Sequence, residues 1–208
     1  PRTVTARPVQ SIDGHSAASA QAAAASATSL EELRHVMEEF DGGLLKRSAK
    51  NLIFADGINN APLMVIGDAP SAEDDNVGLP FTGISGQLLD KILSAAGYSR
   101  ETNTYISNIL PWRPLGGRAP DASVIAMCLP FIRRHIELAA PKAILILGAV
   151  TAKALLTTDE GITRTRGRWK TIAFGEITIP TIATYHPTYL LQQPHLKGLA
   201  WRDMLALS

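Results

Sequence analysis

Four short runs of mostly apolar residues stand out along the chain: residues 63–66, 104–110, 143–148 and 179–185. Apolar runs of this length are typical of parallel strands that helices cover on both faces. Five segments with helical patterns alternate with or flank these runs: residues 29–40, 87–93, 121–140, 151–156 and 200–205. Strands that alternate with helices predict a single α/β domain, in which a central four-stranded parallel sheet is flanked by helices.

The first 28 residues differ from the rest of the chain, because they contain few large apolar side chains and many Ala, Ser, Thr and Gln residues. Such a segment buries too little surface to offset the entropy of ordering it. We therefore expect a flexible or weakly ordered extension at residues 1–28, followed by a folded domain at residues 29–208. The alanine-rich run at residues 16–27 would be helical if it docked onto the domain.

Three of the predicted strands end in polar residues. Asp68 follows Gly67 after the first strand, Asn108 lies in the second, and His186 follows the fourth. Parallel strands place these residues at the carboxyl edge of the sheet, where open α/β sheets bind ligands. Phe81, in the loop after the first strand, has no core to enter and would stack on a ligand. An acid, an amide, an imidazole and an aromatic ring at one edge predict a binding site.

Uracil has an edge that fits these groups. Asn108 would offer one donor and one acceptor to that edge, and His186 would donate to a carbonyl oxygen. Each residue also has a structural interpretation, with Asp68 as the cap of a turn and His186 as an ordinary hydrogen-bonded imidazole. Their convergence favours the ligand site over the structural interpretation.

The loop and helix after Phe81 would serve the phosphates of a nucleic acid. We expect a polar loop at residues 73–78 and then a helix with Ser85 as its N-cap. Gly83 and Gly86 beside this cap would let a phosphate approach the backbone amides and the positive end of the helix dipole. The predicted DNA contacts are Ser85, Gly86, Gln87, Arg113, Arg118, Thr188, Tyr189, Leu190 and Leu191. The last three form an apolar wedge suited to a base flipped out of a duplex, whereas the two arginines are ordinary solvated charges in the alternative interpretation.

Composition restricts the classes of function. The net charge of +1 means that any affinity for nucleic acid must come from a local basic face. Cys128 is the one cysteine, which excludes a disulfide framework and a multi-cysteine metal site within one chain and indicates a reducing compartment. No apolar run approaches the roughly 20 residues of a membrane span. We expect a soluble, cytoplasmic monomer of bacterial type that has no membrane partner and that associates with the nucleoid when it acts.

These residues resemble the motifs of the family-4 uracil-DNA glycosylases. The GEAPG segment of that family stands here as GDAPS at residues 67–71, followed by its PF-x-G element at residues 80–83 and its GQLL helix at residues 86–89. Its second segment, which ends in RPP-x-NR, corresponds to residues 108–118. Its HPSYLL motif appears as HPTYLL at residues 186–191.

The resemblance implies a three-layer fold of the uracil-DNA glycosylase type and a DNA repair enzyme. The enzyme would flip uracil out of single- or double-stranded DNA and hydrolyse its N-glycosidic bond, which leaves an abasic site and free uracil. The uracil-binding residues would be Gly67, Ala69, Phe81, Asn108 and His186, and the catalytic residues Asp68 and His186. His186 would stabilise charge on the uracil carbonyl, and Asp68 would stabilise the sugar cation or position the attacking water.

The chain departs from the family at two kinds of position. The family holds a four-iron, four-sulfur cluster on four cysteines, which correspond by register to Phe40, Gly43, Trp112 and Cys128. Because such a cluster needs one thiolate per iron, we expect no cluster and no other cofactor or metal, with aromatic side chains filling the volume. In the reaction centre, Asp68 replaces a Glu and Ser71 replaces a Gly.

Two other functions remain open from the sequence alone. A protein of the same fold that binds uracil or damaged DNA with weak or absent catalysis is favoured by the changes at Asp68 and Ser71. A nucleotide-binding α/β module with no role on DNA is disfavoured by the wedge at residues 189–191, because a free nucleotide needs no intercalating side chain.

Overall fold

A six-stranded mixed sheet lies at the centre of residues 16–207, the part of the chain that the computed structural model describes. The strands are β1 (Asp56–Gly57), β2 (Leu63–Gly67), β3 (Thr104–Asn108), β4 (Ala143–Leu147), β5 (Lys170–Phe174) and β6 (Ile177–Thr184). Their order is β1-β3-β2-β4-β6-β5. The four central strands run parallel, while β1 and β5 pair antiparallel at the two edges. The predicted parallel sheet of four strands is confirmed, and two edge strands are added to it.

Ten α-helices accompany the sheet in the described residues: α1 (Ala17–Ser26), α2 (Leu30–Glu39), α3 (Gly43–Ser48), α4 (Ala72–Val77), α5 (Ile84–Ala95), α6 (Ala122–Ala139), α7 (Ala149–Leu156), α8 (Ile162–Thr165), α9 (Pro187–Gln192) and α10 (Lys197–Met204). Short 3-10 turns occur at Leu115–Gly117 and Pro194–Leu196. Within residues 16–207, none of these helices combines the length and apolar character needed to cross a membrane.

The sheet separates two apolar layers, because side chains alternate between its faces along each strand. On one face, Met64 and Ile66 of β2 join a large buried cluster that includes side chains of α1, α2 and α6. On the other face, Leu63 and Val65 join a smaller cluster with side chains of α5 and α10. This arrangement is the predicted helix–sheet–helix sandwich.

Residues 17–26 form a docked helix, which differs from the expectation of a weakly ordered extension at residues 1–28. Ser16 caps α1, and Ala20 and Ala24 are buried where the helix packs on α6. Arg134 of α6 secures the following turn with two hydrogen bonds to the carbonyl oxygen of Ala27. The small alanine side chains allow α1 to pack closely on α6. The alanine-rich run is therefore helical and docked, as expected for the case in which it packs on the domain. Residues 1–15 lie outside the described part of the chain.

The predicted polar loop at residues 73–78 is a short helix, α4, and this part of the prediction is wrong. Ser71 and Asp74 form a reciprocal capping box at its start. Gly78 ends the helix in a left-handed conformation with φ of 89°, which glycine adopts without steric cost. The polar residues of this segment therefore belong to a short helix, in which Asp74 and Asp75 are buried.

Candidate functional site

The carboxyl ends of β2, β3 and β6 bring the predicted site residues to one edge of the sheet. Gly67 at the end of β2 is paired in register with Asn108 at the end of β3. Asp68 follows β2 directly, and His186 follows β6 after one intervening residue. A cleft of about 470 Å³ opens here. Six of the predicted residues line it: Asp68, Ala69, Arg113, Arg118, His186 and Thr188.

Asn108 presents a buried amide with no partner in the described structure. The residue is 3% exposed, and neither Oδ1 nor Nδ2 forms a hydrogen bond within residues 16–207. An unpaired buried polar group costs about 1–3 kcal/mol, which a ligand can relieve by pairing with it. Gly67 gives the amide its space, because a Cβ atom at Gly67 would lie 2.5 Å from Asn108 Oδ1. The amide can therefore pair with one donor and one acceptor of a ligand.

Phe81 is buried, so the prediction of a loop ring with no core to enter is wrong. Its ring belongs to the buried cluster beneath α5 and lies 5.5 Å from the His186 ring, centroid to centroid. Its backbone has a φ of 55°, which is uncommon for a bulky residue, and Arg100 donates a 3.2 Å hydrogen bond to its carbonyl oxygen. A Cβ atom at Gly67 would also lie 2.5 Å from Phe81 Cζ. The ring therefore adjoins both the imidazole and the edge that carries Asn108.

His186 is oriented by the start of α9. Its Nδ1 atom accepts a 3.2 Å hydrogen bond from the backbone N–H of Thr188, so the proton of the neutral ring is on Nε2. Nε2 is buried and has no hydrogen-bond partner among the described residues. Burial lowers the pKa of His186, while the negative charges of Asp68 and Asp74 oppose this shift. The site therefore contains a neutral imidazole with one unused N–H donor.

Asp68 is held by the first turn of α7, a contact that sequence analysis missed. Its Oδ1 atom accepts hydrogen bonds from the backbone N–H of Thr151 at 2.8 Å and from the Thr151 hydroxyl at 2.7 Å. Gly148, the N-cap of α7, has a φ of 102°, and a side chain at Gly148 would overlap Asp68 Oδ2. The carboxylate thus caps α7 from another part of the chain. No residue pattern could indicate this, because Asp68 and Thr151 are 83 positions apart.

The helix after Phe81 begins earlier than predicted, and Ser85 is not its N-cap. Gly83 takes the N-cap position of α5. Gly86 is buried, and a side chain at this position would overlap the carbonyl of Phe81. The glycine therefore serves close packing of the Phe81 loop against α5. Contact of the first turn, with Ser85, Gly86 and Gln87, to DNA stays a prediction.

The predicted wedge at residues 189–191 divides into two kinds of side chain. Leu190 is 1% exposed and packs with Tyr185 and Ala200, so its assignment to DNA contact is wrong. Helical periodicity explains the error, because consecutive residues of α9 point in different directions. Tyr189 is 44% exposed and Leu191 38% exposed. These two side chains remain the candidates for a wedge.

Basic and hydroxyl side chains border the cleft. Arg113 and Arg118 come from the loop around the 3-10 turn at Leu115–Gly117, and both line the cleft together with Thr188. Neither arginine forms an ion pair or side-chain hydrogen bond within residues 16–207. Contact of these two charges with the phosphates of DNA stays a prediction.

Asp74 is a second residue whose role sequence analysis missed. It is buried and accepts hydrogen bonds from the backbone N–H and the hydroxyl of Thr82 at 2.7 and 2.8 Å. It also accepts one from the backbone N–H of Ser71 at 2.9 Å. The capping-box spacing of Ser71 and Asp74 was a usable signal for α4. Asp74 therefore ties α4 to the loop that carries Phe81.

The residues that the family resemblance places at cluster cysteines lack the set of thiols that an iron–sulfur cluster needs. Phe40, Trp112 and Cys128 are buried members of one apolar cluster, and Gly43 begins α3. Cys128 is the one thiol in the sequence, and its burial raises its pKa to about 12, which disfavours the thiolate that binds metals. Nowhere in residues 16–207 do three or more His, Cys, Asp or Glu side chains form a group that could hold a metal ion.

Comparison with known proteins agrees with the geometry. The sequence profile of the uracil DNA glycosylase superfamily matches residues 54–205. A type-4 uracil-DNA glycosylase from Pyrobaculum aerophilum is 30% identical over 84% of this chain and 91% of its own length. Type-4 enzymes from Saccharolobus solfataricus and Thermotoga maritima are 32% and 33% identical, over 74% and 68% of this chain and 73% and 72% of their own lengths. The chain belongs to the uracil-DNA glycosylase superfamily, a family of DNA repair proteins.

Proposed function

We propose that the protein excises uracil from DNA by hydrolysing the N-glycosidic bond, as the names of its type-4 relatives describe for those proteins. The observation that supports this most directly is the pair of unused polar groups, the Asn108 amide and the His186 Nε2–H, at one buried edge of the sheet. Phe81 adjoins both. A flat base with one donor and two acceptors would pair with the Asn108 amide and with the His186 Nε2–H. Its apolar face would lie against Phe81.

Recognition of uracil would rest on the Asn108 amide. Its Oδ1 would accept from N3–H of uracil, and its Nδ2 would donate to a uracil carbonyl oxygen. At N3 and C4, cytosine has the reverse order of donor and acceptor, so an amide held in the orientation that fits uracil would lose both hydrogen bonds. Phe81, held by Arg100 and by the close approach of Gly86, would fix the plane of the base and crowd the C5 methyl group of thymine.

Catalysis would use charges that develop in the transition state. When the bond between C1′ of the sugar and N1 of uracil breaks, the electron pair leaves with the base, and negative charge spreads onto the uracil oxygens. The His186 Nε2–H would stabilise this charge, because a fixed donor in a dry site needs no reorganisation. Asp68 lines the same cleft and would stabilise the cationic sugar or position the water whose oxygen bonds to C1′. That water loses a proton as the bond forms, and the uracil anion takes one up, so the two charges balance.

The buried position of these groups supports base flipping. A uracil stacked in a duplex cannot reach Asn108, which is 3% exposed, so the nucleotide would have to rotate out of the helix. Arg113, Arg118 and Thr188 at the cleft would hold the flanking phosphates, and Leu191 or Tyr189 would enter the gap. Monomeric action and a cytoplasmic location stay predictions from the sequence.

A uracil-binding protein without catalysis is the second candidate, and the geometry of Asp68 favours it to a degree. The carboxylate already serves as the cap of α7 through Thr151, which is a structural use that needs no chemistry. The same contacts are compatible with catalysis, because they leave Oδ2 without a hydrogen bond in residues 16–207.

One assay separates the two candidates. The purified protein is incubated with single- and double-stranded oligonucleotides that carry one uracil, and abasic sites are then cleaved with alkali. Identical oligonucleotides with thymine or cytosine at that position are the controls. Cleavage at uracil alone supports the glycosylase. Binding of the uracil oligonucleotide without cleavage supports the silent binder, and neither binding nor cleavage contradicts both.

A further inference from the structure

Thr151 joins the two residues at the end of β2. Its hydroxyl oxygen lies 2.7 Å from Asp68 Oδ1 and 2.9 Å from the carbonyl oxygen of Gly67, and its backbone N–H donates to the same Oδ1 atom at 2.8 Å. Thr151 is fully buried. Its hydroxyl therefore bonds to these protein atoms and not to bulk water. A threonine with this set of contacts fixes both the position and the rotation of the Asp68 carboxylate.

The two oxygens of the Asp68 carboxylate differ in their hydrogen bonds. Oδ1 receives both contacts from Thr151, whereas Oδ2 has no hydrogen-bond partner in residues 16–207. Gly148 packs against Oδ2 so closely that a side chain there would overlap it. The Asp68 carboxylate therefore lies between Gly148 and the first turn of α7. These contacts restrict the rotation of the Asp68 side chain.

We propose that Thr151 is a positioning residue for excision, which acts by orienting Asp68 so that Oδ2 meets the sugar cation or the attacking water. This inference rests on the proposed glycosylase function and adds to it. An aspartate is one methylene shorter than a glutamate, so its reach depends on where its backbone and its Oδ1 atom are held. A misplacement of about 1 Å can cost on the order of 100-fold in rate.

The positioning role predicts coupling between two substitutions. Thr151→Val keeps the size of the side chain and the backbone N–H but removes the hydroxyl, and we expect the single-turnover rate of uracil excision to fall about 10- to 100-fold. Affinity for uracil-containing DNA should be unchanged, because the hydroxyl contacts no ligand. In an Asp68→Asn background, where the carboxylate is already lost, Thr151→Val should have little further effect.

Two variants serve as controls. Thr151→Ser restores the hydroxyl and should recover most of the rate. Thr181→Val removes another buried hydroxyl, one that bonds to the carbonyl of Ile179 on β6 and touches no site residue, and it should leave the excision rate near that of the wild type. Melting temperatures of all variants show whether the fold is intact. If Thr151→Val does not fold, Thr151→Cys, with its weaker donor, takes its place in the same cycle.

The outcomes distinguish this inference from the proposed function. An active wild type with coupled substitutions and rescue by serine supports the positioning role. An active wild type in which the effects of Thr151→Val and Asp68→Asn multiply, or in which Thr151→Ser is as slow as Thr151→Val, overturns the positioning role and leaves the glycosylase function intact. A wild type that never excises uracil overturns both.

Discussion

At the residue scale, the site consists of side chains that keep polar atoms unpaired although they are buried. Asn108 and His186 Nε2 are the buried side-chain polar groups without a partner in residues 16–207, and both lie at the carboxyl edge of the sheet. Elsewhere in the described structure, buried Asp74, Ser107, Thr151 and Asp203 all form hydrogen bonds. Leaving these polar groups unpaired lowers the stability of the fold without a ligand, and it keeps their hydrogen-bonding atoms available to one.

The side-chain amide of Asn108 has one donor and one acceptor, and their arrangement leads to a prediction about base selectivity. Asn108→Asp replaces the Nδ2 donor with a carboxylate oxygen, which repels the uracil carbonyl that the amide would contact. We expect uracil excision to fall by at least about 10-fold and weak activity on cytosine to appear when the carboxyl group is protonated. Single-turnover assays on uracil and cytosine oligonucleotides measure this. Unchanged uracil kinetics would place Asn108 outside the pocket.

The unused Nε2–H of His186 leads to a prediction about the chemical step. His186→Ala removes a donor that meets charge present only in the transition state, so the single-turnover rate should fall on the order of 100-fold or more. Affinity for uracil-containing DNA should change little, which binding titrations can check. A matched control is His195→Ala, an exposed residue in the turn after α9. A full single-turnover rate in His186→Ala would contradict the assigned role.

At the element scale, strand ends were easier to predict than loop interiors. The central strands follow from apolar runs, and the carboxyl-edge rule then places Asp68, Asn108 and His186 together without knowledge of side-chain contacts. β1 has two residues and β5 alternates in burial, so neither produces a continuous apolar run. The burial of Phe81 and the anchoring of Asp68 by Thr151 depend on contacts between distant segments, which periodicity does not report.

The two faces of α9 lead to opposite predictions for neighbouring leucines. Leu191 is exposed and Leu190 is buried. Leu191→Ala should slow excision from duplex DNA more than from single strands, because less stacking must be broken in a single strand, and it should leave stability unchanged. Leu190→Ala should lower the free energy of unfolding by about 2–5 kcal/mol. Excision assays on both substrates and urea titrations measure the two effects. Equal losses on duplex and single strands would argue against Leu191 as a wedge.

At the scale of the whole molecule, aromatic side chains pack closely around the positions that the family resemblance assigns to a metal cluster. Phe40 and Phe131 pack edge to face with ring centroids 4.9 Å apart, and Lys46 lies over the ring of buried Trp112. Lys46 also donates a 3.0 Å hydrogen bond to the carbonyl oxygen of Phe40, after the end of α2. These contacts connect the end of α2 with α3, with α6 and with the loop after β3.

This packing predicts a protein without iron. Phe40, Gly43 and Trp112 have no thiolate, so we expect protein purified without oxygen to be colourless and to contain no stoichiometric iron. Elemental analysis and the absorbance near roughly 400 nm, where such clusters absorb, test this. An iron content close to four per chain would overturn the expectation. Trp112→Ala should instead destabilise the fold by about 3–5 kcal/mol, as the loss of a buried aromatic ring does.

A second buried histidine gives the whole molecule a predicted sensitivity to acid. His135 of α6 stacks on Phe54 with ring centroids 4.3 Å apart, and its Nε2 atom lies 2.9 Å from the Tyr105 hydroxyl. Complete burial lowers the pKa of His135 to about 3. Below the ordinary imidazole pKa of about 6.5, the unfolded chain binds a proton that the folded chain does not. The free energy of unfolding should therefore fall as the pH drops from about 6.5 towards 3.

The size and the origin of this loss can be measured together. One histidine of this kind contributes at most about 1.4 kcal/mol per pH unit, and carboxylates add their own dependence in every variant. His135→Gln keeps a neutral polar partner for Tyr105 but cannot take up a proton, so its urea unfolding curves at pH 7, 5 and 4 should shift less than those of the wild type. His35→Gln removes an exposed imidazole of α2 and should follow the wild type. Parallel losses in all three proteins would mean that carboxylates, and not His135, set the acid limit of the fold.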